Sequence, residues 1–201
     1  MPGLASGLAD AAGGRHLLMW AAEPSEQSAW QALGVDGALR PESLLVAVQN
    51  RGGNKLDRFL HVAAELSVTS VGDESEVTLT LNLRNEAPVG EPQYIVGPHA
   101  LSGVGEGVYV GILTVSFPGD ASGGRLDGVD TLAVEGADGP SQVMGFQFEL
   151  PRGGERTVVA RFRLPSRGPI LKVEPSARVP AIAWRSGALA WSDTSAKILS
   201  S

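Results

Sequence analysis

Between Glu76 and Arg84 apolar and polar residues alternate without exception. Val77, Leu79, Leu81 and Leu83 fall on one side, and Glu76, Thr78, Thr80, Asn82 and Arg84 on the other. A period of two is the pattern of a strand with one buried and one wet face. The same rule recurs at Val62, Ala64, Leu66 and Val68; at Leu113, Val115 and Phe117; at Leu132 and Val134; at Met144, Phe146, Phe148 and Leu150; at Val158, Ala160, Phe162 and Leu164; and at Leu171 and Val173. Turn formers stand between these stretches: Gly72-Asp73, Pro118-Gly119-Asp120, Gly139-Pro140, Pro151-Arg152-Gly153-Gly154 and Gly168-Pro169. The 26 glycines and 13 prolines of the chain serve that architecture better than a helical one. Short strands at this spacing predict a sandwich or barrel. No long helical pattern separates them, so antiparallel hairpins are expected in place of parallel crossovers. The predicted fold is mainly β: an antiparallel immunoglobulin-like β-sandwich over 59–186, preceded by a small α/β segment over 1–58 and followed by a tail over 187–201.

The first third reads differently. Leu4, Leu8 and Ala11 or Ala12 lie at helical spacing and stop at Gly13-Gly14. His16 to Ala22 is too short for a buried helix and reads as a strand. Pro24 at a helix start, Glu26 in the first turn, Ala29, Trp30 and Leu33 on one face and Gly34 beyond the end predict a helix over 24–33. Leu44 to Val48 is an apolar run of strand length, and Asn50-Arg51-Gly52-Gly53-Asn54 then reverses the chain. After Trp184 the alternation weakens, and the serine-rich end is expected to fray.

Composition excludes several function classes. With 43% hydrophobic and 19% charged residues the chain has the makings of a real core. A formal net charge of −6, with no basic stripe, argues against nucleic acid and anionic membrane surfaces as partners. The absence of cysteine removes disulfides, thiolate metal sites and cysteine nucleophiles. No apolar run is long enough to span a bilayer, and the first 20 residues lack the features of a secretory signal.

The most unusual polar cluster is Asn50, Asn54, Lys55 and Asp57, on a glycine-rich reversal where converging side chains suit a sugar or small anion. Turn chemistry favours the plainer reading, in which the asparagines and the ion-forming pair serve the loop itself. Asp120, Asp127, Asp130, Glu135 and Asp138 match no calcium-loop spacing and read as acidic turn residues. Gly103-Val104-Gly105-Glu106-Gly107 lacks the strand-to-helix context and following lysine of a phosphate cradle. His16, His61 and His99 are not at metal spacing, so no metal is assigned. No G-x-S-x-G turn raises the odds of a catalytic triad, and no catalytic residue or cofactor is assigned. Trp20, Trp30, Trp184 and Trp191 are expected to pack in cores or interfaces ahead of serving as sugar platforms.

The stretches RHLLMWAAEPSEQSAWQALGVDGAL, from Arg15 to Leu39, and LLVAVQNRGGNKLDRFL, from Leu44 to Leu60, resemble the C-terminal part of the actinobacterial envelope proteins grouped as domain of unknown function 4012. VTLTLNLRNEAP at Val77 to Pro88, YVGILTVSFPG at Tyr109 to Gly119 and FELPRGGERTVVARFRLP at Phe148 to Pro165 are similar to that family's closing immunoglobulin-like module. Members carry a membrane anchor and a preceding α/β region. The resemblance therefore implies a C-terminal piece of a longer, anchored, extracytoplasmic protein, with the upstream domain as a partner. It brings no established activity. The function expected is a non-catalytic binding or scaffolding module contacting an envelope glycan or another envelope protein, with exposed apolar surface on its N-terminal segment. The alternative is an accessory module of a glycan- or polymer-processing enzyme whose catalytic domain lies outside this chain.

Overall fold

The computed structural model describes residues 2–97, 103–165 and 170–200. Two N-terminal helices, α1 (Pro2–Gly13) and α2 (Pro24–Leu33), precede twelve strands. The strands are β1 (Ser43–Asn50), β2 (Leu60–Val71), β3 (Glu74–Asn85), β4 (Tyr109–Phe117), β5 (Ser122–Asp127), β6 (Val134–Asp138), β7 (Ser141–Leu150), β8 (Glu155–Pro165), β9 (Ile170–Val173), β10 (Ala183–Ser186), β11 (Leu189–Ser192) and β12 (Lys197–Ser200). They form two six-stranded sheets, ordered β12-β9-β1-β4-β7-β6 and β11-β10-β2-β3-β8-β5.

The alternation in the sequence is what joins the sheets into a sandwich. In β3, Val77, Leu79, Leu81 and Leu83 are each no more than 1% exposed, and β8 aligns Phe162, Ala160 and Val158 beside the first three. The facing sheet supplies Leu44, Val46, Leu113, Val115, Phe146 and Phe148 to the same core. Phe117 of β4 meets Phe162 of β8 edge-on across the interface, with ring centroids 5.2 Å apart. That contact contributes on the order of 1 kcal/mol beyond simple burial. The β2–β3 hairpin, turned at Gly72 with φ of +62°, outruns the core, which leaves Val68 and Val71 exposed.

Three expectations need correction or sharpening. The sandwich is not wholly antiparallel: β9 runs parallel to β1, and β10 parallel to β2. More than a hundred residues separate each such pair, ample for the long crossover that parallel pairing demands. His16 to Ala22 forms no strand. It is an extended strap that, among the described residues, makes a single ladder-like bond, Met19 N–H to the Val35 carbonyl (2.8 Å), and has no strand alongside it. The serine-rich end is not frayed over the described residues: β11 extends one sheet and β12 the other.

The expected division near residue 58 falls between β1 and β2, which lie in opposite sheets over one shared core. The turn expected at Gly168-Pro169 lies outside the described residues.

Candidate functional site

The asparagine-rich reversal does bring three of its four predicted residues together. Asn50 Nδ2 donates to Asp57 Oδ2 at 2.8 Å and to Asn54 Oδ1 at 3.0 Å, while Asn50 Oδ1 accepts the Gly52 N–H. Asn54 Oδ1 also accepts the Leu56 N–H, at the start of a single 3-10 turn (Leu56–Phe59). Among the described residues the asparagine side chains thus bond within the loop or to Val108, just before β4, whose carbonyl accepts from Asn54 Nδ2. Lys55 is exposed, and its backbone N–H donates to the Ile95 carbonyl.

Two residues not singled out in the sequence complete this cluster. Tyr109, fully buried, donates its hydroxyl to Asp57 Oδ1 at 3.0 Å. Burial, and then the neighbouring Asp57 charge, push the phenol well above its ordinary range. Arg178 arrives from the segment between β9 and β10, and its Nη2 donates to the carbonyls of Leu60 (3.0 Å) and Asp57 (3.3 Å). Burial pulls its guanidinium pKa down, against the opposing pull of Tyr109, Asp57 and Asp193. Its Nη1 is buried with no hydrogen-bond partner among the described residues. Asp193 fastens the same segment, accepting the N–H groups of Ile182 (2.6 Å) and Ser176 (3.0 Å). With its polar groups turned on one another, the cluster is a fastening that binds the C-terminal strands to the 3-10 turn.

A cavity lies elsewhere, between the helices and the outer face of β9. It measures about 840 Å³, within the range of small-molecule sites. Leu8, Ala9 and Ala12 of α1 line one wall, and Trp30 and Leu33 of α2 another. Leu17, Met19 and Val35 of the strap and its partner segment close the back.

The floor follows from strand alternation. Leu171 and Val173 of β9 face the core, so Lys172 and Glu174 face the helices. Glu174 is 5% exposed, and Oε1 accepts from Lys172 Nζ at 2.8 Å and from the Ser43 hydroxyl at 2.9 Å. The Ser43 Oγ in turn accepts the Arg40 N–H at 3.0 Å. Arg40 also reaches the Gln31 carbonyl and Asp36, and Arg15 donates through Nη2 to the Gly37 carbonyl at 2.8 Å. An apolar chamber with a polar floor and cationic side chains around it can hold an apolar body and orient a polar end.

No protein-family model, curated protein or solved structure matches this chain.

Asp127 accepts a hydrogen bond from Arg161, which holds its carboxyl below the usual range, and pairs with Arg125 as well. Among the described residues no three metal-ligating side chains gather. His61 pairs with Glu86 at 3.2 Å, His16 is exposed, and His99 lies outside the described residues. Trp184 is buried and stacks on Trp191 with centroids 5.7 Å apart. Trp30 is half-buried in the cavity wall, whereas Trp20 is 78% exposed, contrary to the packing expected of all four. Leu4, Leu18 and Leu33 are likewise at least half exposed, so the N-terminal segment does carry apolar surface.

The cavity's residues left one trace in the sequence. Lys172 and Glu174 interrupt an apolar strand at alternate positions, a sign that its second face is covered by something able to satisfy charge.

Proposed function

We propose that this protein is a non-catalytic binding module of the cell envelope, acting outside the cytoplasm, and that its ligand site is the cavity between α1, α2 and β9. The observation that carries the reading is the cavity itself, whose apolar walls surround a floor of paired polar groups. Small-molecule sites share that composition, a mainly apolar lining with a few placed polar groups. The envelope setting rests on the resemblance of Arg15–Leu39 and Leu44–Leu60 to envelope-associated proteins. The immunoglobulin-like reading is offered for the nucleus of β1 to β8, whose strands pair with one another only antiparallel.

Titration with N-phenylnaphthylamine, an uncharged fluorescent apolar probe, tests the site. Saturable binding with one probe per chain is expected, lost in Ala12→Trp, where the indole fills the chamber while the circular dichroism spectrum is retained. Absence of saturable binding by the native chain, or undiminished binding by a folded Ala12→Trp, would contradict the assignment.

A further inference from the structure

We infer that the cavity takes a free single-chain amphiphile with an anionic head, its chain between the helices and its head at Arg15, an inference that rests on the binding reading just given. Charge is the first argument. The chain carries 22 acids against 16 lysines and arginines, yet the cavity lining reverses that sign, with Arg15, Arg40 and Lys172 against Glu174 alone. A pocket of inverted sign in an acidic protein selects for anions.

The three cations are not equivalent. Lys172 is neutralised by Glu174 at 2.8 Å, and Arg40 faces Asp36, whose side chain is 4% exposed, at 3.5 Å. Arg15 is bonded to the neutral carbonyl of Gly37 and, among the described residues, to no carboxylate. A guanidinium has five N–H donors in a planar fork, so four remain for a ligand oxygen pair, the geometry that suits carboxylate or phosphate.

The apolar part of the ligand follows from the walls. Leu8 and Leu33 line the cavity yet are 51% and 68% exposed, which marks them as the lip where a chain would remove apolar surface from water. Small residues along α1, Ala9 and Ala12, leave a smooth wall that a flexible methylene chain can lie against.

Isothermal titration of the native chain with dodecanoate, dodecyl phosphate, dodecanol and dodecyltrimethylammonium, each below its micelle concentration, separates the components of this inference. The two anions are expected to bind one per chain, about tenfold more tightly than dodecanol, the difference a charge-assisted hydrogen bond supplies. Arg15→Gln should bring dodecanoate to the affinity of dodecanol, Arg15→Lys should restore most of the preference, and Ala12→Trp should abolish all binding. The ratio of dodecanoate to dodecanol affinity is the decisive readout, because a merely structural loss would lower both.

Equal affinity for dodecanol, or a preference for the ammonium head, overturns the anionic assignment while leaving the binding reading intact. Failure of every chain-bearing probe overturns both. Co-sedimentation with phosphatidylglycerol vesicles in the absence of binding to the free anions overturns the free amphiphile in favour of a membrane surface.

Discussion

The Ser43 hydroxyl donates to the Glu174 carboxylate at 2.9 Å across 131 positions of sequence. It does so where β1 and β9 run parallel, in a register that sets Ser43 opposite Lys172 and Leu44 opposite Val173. Because Ser43 also accepts the Arg40 N–H, Ser43→Ala removes two hydrogen bonds at the cavity floor, one buried and one part-buried. A loss of about 1–3 kcal/mol is expected from the urea midpoint at unchanged m-value.

Arg178 is the chief link between the C-terminal strands and the 3-10 turn. Replacing it with methionine keeps an apolar stem but removes the guanidinium donor from the Leu60 carbonyl and leaves the Asp57 carbonyl with the Leu60 N–H alone. Arg178→Met is expected to cost about 3 kcal/mol, with Arg178→Lys intermediate, since an ammonium lacks the planar fork. Amide exchange should accelerate in β10 and β11 before it does in β3 and β8.

Alkaline pH probes the fastening from the other side. Tyr109 titrates well above its ordinary value in the folded chain, because burial and the Asp57 charge disfavour phenolate. The folded state therefore holds its proton when the unfolded state has lost it. The contribution to stability is full below about pH 10, where a free tyrosine titrates, and is lost as pH rises from there towards the folded value. Tyr109→Phe should be less stable at neutral pH by about 1 kcal/mol, from the lost bond to Asp57. Its stability should also fall less steeply above pH 10, as read by urea titrations at a series of pH values.

Two glycines should respond in opposite directions. A methyl group at Gly145, in β7, would stand 2.7 Å from both the Leu113 carbonyl oxygen and Thr114 Cγ2. Gly145→Ala is expected to destabilise by about 1–3 kcal/mol through overpacking. Gly7 lies within α1 with nothing near its missing side chain. Gly7→Ala should stabilise by about 0.5–1 kcal/mol through helix propensity, in the same thermal or urea assay.

The β body was legible because burial of one face imposes a period of two, and Val77 to Leu83 display it over a full strand. The helix over 24–33 was legible for local reasons too, from Pro24 at its start to Gly34, left-handed at its end. What local pattern cannot express is which distant edge a short strand will join. Leu171 and Val173 announce a strand, but nothing in them says that it will run parallel to β1.

The site divides in the same way. Asn50, Asn54 and Asp57 sit within eight residues, so their meeting could be read from spacing, although Lys55 falls on the solvent side of the loop. Arg178 reads as part of a proline-flanked linker, since its partners are backbone carbonyls 118 and 121 positions earlier. The cavity left no more than the trace at Lys172 and Glu174 for that reason as well: α1, α2 and β9 meet only in three dimensions.

Amide hydrogen exchange with and without saturating N-phenylnaphthylamine tests the central claim most directly, because it locates the ligand as well as detecting it. The assignment predicts slowed exchange in residues 8–19, 30–38 and 172–174, with Asn50–Asp57 and the Trp184–Trp191 face unchanged. Slowing confined to either of those two regions, or none at saturation, would contradict it.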